Sequence, residues 1–162
     1  MAPLRVLRWS AFALAAVQPV VVSGSCLQQS LRFDMGNVAT EYSDVCCQVP
    51  QSWAEPSGTL SDVGLWAQLP SSEGPVTFYD AKCGKPLFRA PIGRSMAEFK
   101  AESEAHGWPS FRDEELVKEN IVVKPGGEVV STCGTHLGHN LPDGRGHRYC
   151  IDLLCIAGNP SA

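Results

Sequence analysis

The sequence predicts a mainly β fold, in which antiparallel sheets are accompanied by one or two short helices. Three segments have the apolar, β-branched composition of strands: residues 121–123, 128–131 and 148–156. The first two flank Pro125-Gly126-Gly127, a turn sequence that is typical of a hairpin between antiparallel strands. The hairpin and the third segment together indicate an antiparallel sheet in the second half of the chain.

One further strand and one helix are predicted before the hairpin. Residues 76–79 are Val-Thr-Phe-Tyr, a run that favours a strand. A helix is predicted over residues 95–106, because Ser95 is a suitable N-cap and Glu98 stands at the capping-box position. Gly107 follows directly and is a residue type that stops helices.

The composition limits both the domain count and the class of partner. The chain has 162 residues, of which 44% are hydrophobic, which suits one core and a small additional segment. The formal net charge of -4 gives no electrostatic argument for binding nucleic acid. Seven cysteines are many for this length, so their interpretation depends on the redox compartment.

Residues 1–25 have the layout of a secretory signal peptide. Arg5 and Arg8 precede an apolar run over residues 9–22, and small residues follow it up to Cys26. The run is short for a membrane-spanning anchor and contains a proline, so an anchor is the weaker interpretation, as is a lipid-attached cysteine. We expect a protein that is secreted or lies in the lumen of the secretory pathway, where cysteines pair as disulfides.

Residues 26–73 are predicted to form an irregular, cysteine-containing lead-in that wraps a main domain at residues 74–160. The lead-in is rich in turn residues and only weakly periodic. Cys46 and Cys47 are adjacent and cannot easily bond each other, so each should pair elsewhere. Cys26 is the obvious partner of one of them.

A cysteine stands among histidines and an arginine in the last third of the chain. Residues 135–139 are Thr-His-Leu-Gly-His, and residues 147–152 are His-Arg-Tyr-Cys-Ile-Asp. A thiol becomes a nucleophile when nearby positive charge or imidazole stabilises its thiolate, and this region supplies both. On spacing alone, the histidines of the first segment could instead bind a metal together with Cys133 or Cys150.

Over roughly residues 55–160 the chain resembles the methionine-R-sulfoxide reductases, because four motifs occur in the order seen in that family. They are Cys83-Gly84-Lys85-Pro86-Leu87-Phe88, Gly107-Trp108-Pro109-Ser110-Phe111, His136-Leu137-Gly138-His139 and Arg148-Tyr149-Cys150-Ile151. The resemblance implies antiparallel sheets of the methionine-R-sulfoxide reductase type at residues 74–160. It also implies a peptide-methionine (R)-S-oxide reductase, an oxidoreductase that repairs oxidative damage in polypeptides.

The resemblance assigns roles to individual residues. Cys150 corresponds to the catalytic thiol, which attacks the sulfoxide sulfur and becomes a sulfenic acid. Trp108 corresponds to the aromatic surface that binds the terminal methyl group of the substrate, and Phe111 belongs to the same substrate-binding motif. His136 and His139 are expected to protonate the sulfoxide oxygen, since imidazole titrates near neutral pH.

Arg148 and Asp152 complete the predicted catalytic set. Arg148 is expected to favour the thiolate of Cys150 by its charge, and alternation along a strand would place both side chains on one side. Asp152 stands where the family usually has asparagine. An ionised aspartate cannot donate a hydrogen bond to the sulfoxide oxygen, whereas a protonated one can. Further polar residues are expected on the solvated surface: Arg112, residues 113–115, Lys118 and His147.

The family often has a structural zinc ion held by two Cys-x-x-Cys pairs, and here each pair is incomplete. Asp80 and Val130 stand at the first positions, so only Cys83 and Cys133 remain. Valine cannot bind metal, which excludes a four-thiolate site. We therefore expect no metal cofactor, and a Cys83–Cys133 disulfide in place of the zinc.

The cysteine that resolves the sulfenic acid in many family members is replaced by His106. Cys155 lies beyond disulfide reach of Cys150 on a regular strand and is expected to remain a buried, inert thiol. Turnover then requires a thioredoxin-like or small-thiol reductant, which we favour, or a cysteine of the lead-in. The predicted partners are an oxidised polypeptide and this reductant, with no nucleic acid, no membrane after signal removal, and a monomeric state.

A different function stays open at this point. The chain could be a non-catalytic, disulfide-stabilised binding module on the same scaffold, whose pocket holds a ligand without turnover. The incomplete zinc site and the absent resolving cysteine are compatible with such a module. Arg148 beside Cys150 argues against it, since a binding module has no need of an activated thiol.

Overall fold

The computed structural model describes residues 25–47, 53–71 and 74–162. The predicted signal peptide therefore lies outside the described residues, apart from Ser25. Within those three ranges, no helix combines the length and apolar character that crossing a membrane would require.

The described residues contain seven strands in two antiparallel sheets, so the mainly β prediction is confirmed. The smaller sheet pairs β1 (Val76–Tyr79) with β2 (Pro86–Ala90). The larger sheet has the order β3-β7-β6-β5-β4. Its strands are β3 (Ser110–Phe111), β4 (Ile121–Val123), β5 (Glu128–Ser131), β6 (His136–Asn140) and β7 (Tyr149–Ile151).

The helices are short, with one exception. Four single turns occur before the first strand: α1 (Val38–Glu41), α2 (Ser43–Cys46), α3 (Thr59–Asp62) and α4 (Leu65–Gln68). The exception is α5 (Met96–His106). Three 3-10 turns follow it, at Asp113–Glu115, Lys118–Asn120 and Leu154–Ile156.

Helix α5 begins and ends as its sequence predicts. The Ser95 side chain accepts a hydrogen bond from the Glu98 N–H, and the Glu98 carboxylate accepts one from the Ser95 N–H at 2.7 Å. This capping box satisfies backbone donors that a helix N-terminus leaves free. Gly107 ends the helix with φ +84°, a left-handed conformation that favours glycine.

The predicted hairpin is confirmed, but the last predicted strand is only partly correct. Strands β4 and β5 pair antiparallel, with Val122 opposite Val130. Residues 148–156, in contrast, form strand only over Tyr149–Ile151 and then turn into the 3-10 helix Leu154–Ile156. The strand ends because a carboxylate accepts hydrogen bonds from the backbone N–H groups of Leu153 and Leu154, which are then unavailable to a neighbouring strand.

The lead-in shares the hydrophobic core of the main domain. Phe33, Val45 and Leu65 are buried in the same cluster as Phe78 and Phe99. The rings of Phe33 and Phe78 lie 6.0 Å apart between centroids. The lead-in is therefore packed and partly helical rather than irregular throughout, because its apolar residues cover one side of the core.

Six of the seven cysteines form disulfides: Cys26–Cys47, Cys46–Cys155 and Cys83–Cys133. The predicted Cys83–Cys133 bridge and the pairing of Cys26 with one of the adjacent cysteines are confirmed. Cys155 is buried, but the prediction that it remains an inert thiol is wrong, because helix α2 packs against the 3-10 helix and brings Cys46 to it.

Removing the Cys46–Cys155 disulfide should destabilise the protein more than removing Cys26–Cys47. The two bridges span 109 and 21 residues, and closing the longer loop restricts the unfolded chain more. We expect the free energy of unfolding to fall by about 5 kcal/mol in Cys46→Ala/Cys155→Ala and by about 3 kcal/mol in Cys26→Ala/Cys47→Ala, measured by denaturant titration. An equal loss in both variants would contradict this expectation.

Candidate active site

Cys150 lies on β7, between β3 and β6. Its register partners are Ser110 on β3 and His139 on β6. A cavity of about 200 Å³ opens beside it, and four predicted site residues line this cavity: Trp108, His139, Cys150 and Asp152. The sheet therefore gathers residues that are well separated along the chain into one concave site.

The Cys150 thiol is half-buried and lies against a guanidinium group. Arg148 Nη1 donates a hydrogen bond to Cys150 Sγ at 2.6 Å. Ser110 Oγ lies 3.9 Å from the same sulfur. Arg148 is itself buried, so water screens its charge only weakly. A positive charge at this distance favours the thiolate, which is the nucleophilic form.

A second arginine holds the carboxylate that lies next to Arg148. Asp143 Oδ2 is 3.5 Å from Arg148 Nε, and the two Asp143 oxygens accept hydrogen bonds from Arg112 at 3.0 and 2.9 Å. The Arg112 guanidinium holds the pKa of Asp143 well below its usual range. Arg112 also pairs with Glu102, and the prediction that it is solvated is wrong because these partners bury it. His147, whose backbone carbonyl accepts from Arg112, is exposed as predicted.

Glu115, the last residue of the predicted solvated run 113–115, is fully buried. Its carboxylate accepts hydrogen bonds from Arg94 Nε at 2.9 Å and Nη2 at 2.6 Å. Arg94 Nη2 also donates to the Ser110 carbonyl at 2.7 Å, so this buried ion pair supports β3 beside the thiol. The prediction for Glu115 is wrong because Arg94 compensates its charge, whereas Glu114 is exposed as predicted.

The two predicted histidines are neighbours in different environments. His136 is buried, with Nδ1 2.9 Å from Glu128 Oε1. Its Nε2 lies 3.6 Å from Asp152 Oδ2, and neither atom has a hydrogen-bond partner among the described residues. The His139 ring is 5.5 Å from that of His136, and of the two only His139 lines the cavity. Burial, and then the nearby His136, lower the pKa of His139, so its imidazole is predominantly neutral at pH 7.

Asp152 is a buried carboxyl group rather than a solvated one. Its Oδ1 accepts a hydrogen bond from the Glu55 N–H at 2.8 Å, while its Oδ2 has no partner among the described residues. Burial raises the pKa of Asp152 well above its usual range, and the neighbouring Glu55 carboxyl raises it further. Both effects favour the protonated form, which can donate a hydrogen bond.

Glu55 is the site residue that the sequence analysis missed. Its side-chain oxygens accept hydrogen bonds from the N–H groups of Leu153 and Leu154 at 2.7 and 2.9 Å, and its backbone carbonyl accepts one from Trp108 Nε1 at 3.2 Å. Burial raises the pKa of Glu55 to about 7, against the effect of the two N–H groups. No local pattern marks Glu55, because its side-chain partners lie 98 and 99 residues away in the sequence.

The two predicted substrate-binding aromatics lie on opposite sides of the sheet. Trp108 lines the cavity, where its indole N–H is held by the Glu55 carbonyl. Phe111 is fully buried in the core and stacks on Phe88 with 4.2 Å between ring centroids. Side chains alternate along a strand, so Ser110 faces the thiol and Phe111 faces away from it. The structure therefore does not bring Phe111 to the cavity, and it corrects the substrate-binding role predicted for it.

Comparison with known proteins identifies the family. The SelR domain matches residues 65–160, which is more than half of the chain. This chain belongs to the SelR domain family of methionine-R-sulfoxide reductases. The prediction of the family from the four motifs is confirmed, and His136, His139 and Cys150 lie within the matched residues.

Several curated relatives carry the name peptide methionine sulfoxide reductase MsrB. The relative from Pseudomonas putida is 34% identical over 87 residues, which are 52% of this chain and 54% of the relative. The one from Thiobacillus denitrificans is 36% identical over 90 residues, which are 49% of this chain and 62% of the relative. The chain thus spans about half the length of the curated relatives it matches.

The residues at the incomplete zinc site of this SelR domain do not fit a zinc ion that is bound by four thiolates. Ligand atoms of Asp80, Cys83 and Cys133 lie within 4.8 Å of one another, but the two sulfurs are joined in a disulfide. Asp80 Oδ1 is used by the protein itself, since it accepts hydrogen bonds from the N–H of Lys82 at 2.7 Å and the hydroxyl of Thr135 at 2.9 Å. The disulfide and these contacts together replace the cross-link that a metal would supply.

Cys150 is the one cysteine of this SelR domain protein that is free. All seven cysteines lie in described residues, and the other six are bonded in pairs. The lead-in cysteines Cys26, Cys46 and Cys47 are therefore not available as resolving thiols while their disulfides are intact.

Arg148→Gln should slow the reaction of Cys150 with an alkylating agent. The variant removes the charged hydrogen-bond donor that lies 2.6 Å from the sulfur, and we expect alkylation about tenfold slower. The rate is measured by mass spectrometry after timed exposure to iodoacetamide. Arg145→Gln, on an exposed side chain of the same loop, is the matched control and should react like the unsubstituted protein. Equal rates in the two variants would show that Arg148 does not activate the thiol.

Proposed function

We propose that the protein reduces methionine-R-sulfoxide in oxidised polypeptides, with Cys150 as the nucleophile. The observation that carries this proposal is a free, half-buried thiol in contact with Arg148, beside a cavity lined by Trp108 and His139. Membership of the SelR domain family supports the chemistry of methionine sulfoxide reduction.

The proposed step transfers oxygen from one sulfur to another. The Cys150 thiolate attacks the sulfoxide sulfur and forms a sulfur–sulfur bond, while a proton is delivered to the sulfoxide oxygen. The resulting hydroxyl group then moves to the Cys150 sulfur, so a bond between that sulfur and oxygen forms as the sulfur–sulfur bond and the bond between oxygen and the methionine sulfur break. The methionine sulfur is reduced by two electrons and the Cys150 sulfur is oxidised by two, to a sulfenic acid. The product is methionine, an apolar thioether, and its methyl group packs against Trp108 until it leaves.

His139 is the group that we propose to handle the proton. It lines the cavity and is the register partner of Cys150, so a sulfoxide bound against the thiol lies within its reach. His136 is buried against Glu128 and supports His139 from the same strand. A developing negative charge on the sulfoxide oxygen would draw a proton onto the otherwise neutral His139.

The sulfenic acid is reduced by an external thiol in this proposal. The first thiol displaces water from Cys150 and forms a mixed disulfide, and a second thiol releases Cys150 as its thiol. A thioredoxin-like protein or a small thiol can supply both equivalents. The support for an external reductant is that every other cysteine is already bonded.

The cavity favours a sulfoxide that is part of a polypeptide. Trp53 and Leu141, 81% and 47% exposed, line it and present apolar surface to solvent. Its described lining residues include no lysine or arginine that could pair with the carboxylate of a free amino acid. A peptide brings neutral amide groups and neighbouring side chains, which suit such a lining.

We also propose that the protein works in an oxidising compartment of the secretory route and without a metal cofactor. Three disulfides in a chain of 162 residues support this location. The signal peptide, the monomeric state and the absence of nucleic-acid or membrane partners stay predictions from the sequence.

A single-turnover assay tests the proposed reaction. Protein with a reduced Cys150 and intact disulfides, in the absence of added thiol, is mixed with peptides that contain either epimer of methionine sulfoxide. We expect about one equivalent of methionine from the R epimer, none from the S epimer, and none from Cys150→Ser. The product is quantified by mass spectrometry.

No methionine from either epimer, together with tight binding of the sulfoxide peptide, would overturn the proposal in favour of the non-catalytic binding module. Methionine formed equally by Cys150→Ser would exclude Cys150 as the nucleophile.

Trp53→Ser should weaken the use of peptides that carry an apolar residue next to the methionine sulfoxide. The Trp53 ring lies 6.3 Å from that of His139, so a neighbouring side chain of the substrate can pack on it. We expect kcat/KM for such peptides to fall about tenfold and to change little for peptides with glycine at the same position. Val122→Ser, an exposed apolar residue on β4, is the control and should have no effect. Equal losses for both peptides would argue against a contact with Trp53.

A further inference from the structure

Two carboxyl groups are buried side by side beneath the cavity. Glu55 and Asp152 are each only 2% exposed. The Glu55 N–H donates to Asp152 Oδ1 at 2.8 Å, so the two residues are in direct contact. Placing two negative charges together in a buried site is costly, and the pair is expected to retain at least one proton near neutral pH.

The hydrogen bonds indicate which of the two carboxyls becomes charged first. Both Glu55 oxygens accept backbone N–H groups, from Leu153 and Leu154, and such donors stabilise a carboxylate. Asp152 accepts one N–H on Oδ1 and has nothing bonded to Oδ2 among the described residues. A proton shared by the pair therefore belongs on Asp152 Oδ2, where it meets no competing donor.

Within the described residues, none of the other groups around Asp152 forms a hydrogen bond with its Oδ2. From β6, the Nε2 atom of His136 lies 3.6 Å from Oδ2 and is unbonded within the described residues, while the cavity-lining His139 is predominantly neutral. From β7, Cys150 shares the cavity wall. Arg148 is occupied by Cys150 and Asp143, and Glu128 reaches the site only through His136.

We propose that Glu55 is a positioning residue that keeps Asp152 protonated, so that the Asp152 hydroxyl donates a hydrogen bond to the sulfoxide oxygen. The inference rests on the proposed function, because the sulfoxide that accepts the hydrogen bond from Asp152 is the substrate proposed for the same cavity. Glu55 acts in two ways, since its N–H orients Oδ1 and its carboxylate makes ionisation of the neighbour unfavourable.

The titration behaviour agrees with the geometry. Burial raises the pKa of Asp152 well above its usual range, with a further increase from Glu55, whereas the two N–H groups limit the pKa of Glu55 to about 7. As the pH rises, Glu55 ionises first and its charge then delays the ionisation of Asp152. The donor is lost as the pH rises through the pKa of Asp152.

The direct test is a carboxyl NMR titration of the full chain with ¹³C-labelled aspartate, in which Asp152→Asn assigns the resonance. We expect Asp152 to remain protonated at pH 7.5, and we expect Glu55→Gln to lower its midpoint by about one pH unit. Glu104→Gln, which removes an exposed carboxylate elsewhere, should leave the midpoint unchanged. An Asp152 that ionises below pH 6, or a midpoint that Glu55→Gln does not move, would overturn the proposal.

This titration requires no turnover, so its result is independent of whether the proposed reaction occurs. If Glu55→Gln does not fold, the unsubstituted protein still decides, because an Asp152 that ionises below pH 6 overturns the proposal.

Single-turnover rates supply the functional readout. Glu55→Gln should reduce the rate at pH 9 about tenfold more than at pH 6, and it should have no pH-dependent effect in the Asp152→Asn background. The same effect at both pH values would indicate a purely structural role for Glu55 and would overturn the proposal.

Discussion

The geometry of the site depends on the hydrogen bonds that the carboxylate of Glu55 accepts. This carboxylate binds the N–H groups of Leu153 and Leu154 and so determines where β7 ends and the 3-10 helix begins. The backbone of the same residue holds the Trp108 indole and the Asp152 carboxyl. One residue of the lead-in thus connects the cavity wall, the buried donor and the end of the strand that carries the thiol. The lead-in is part of the active site rather than an accessory to it.

On the opposite side of Cys150, charged side chains form a series of ion pairs. Glu102 lies between Arg94 and Arg112, and Asp143 connects Arg112 with Arg148. These contacts hold the guanidinium of Arg148 beside the sulfur. The cavity side, in contrast, carries the His139 imidazole, whose pKa is lowered, and the Asp152 carboxyl, whose pKa is raised. The thiol therefore lies between a charged wall that favours its ionisation and an apolar wall that suits a sulfoxide.

Features that depend on neighbouring residues could be predicted from the sequence, and features that depend on distant partners could not. The capping box of α5, the β4–β5 hairpin and the motif around Cys150 each lie within a few residues of their own partners. Glu55 has no such local signal, and Cys155 could not be paired without knowing that α2 packs against the last 3-10 helix. Phe111 belongs to the motif at residues 107–111, but the side of the sheet that its side chain faces depends on the register of β3. The Cys83–Cys133 pairing was the exception, because the family resemblance supplied the long-range information.

The Cys46–Cys155 bridge closes a covalent ring that contains Glu55, Trp108, His136, His139 and Cys150. A protease that cuts one peptide bond within this ring releases no fragment, since the two pieces remain joined through the sulfurs. A molecule nicked in this way would keep its cavity residues on a single covalent framework. A strong reductant would break this bridge and so separate a cut chain into its parts.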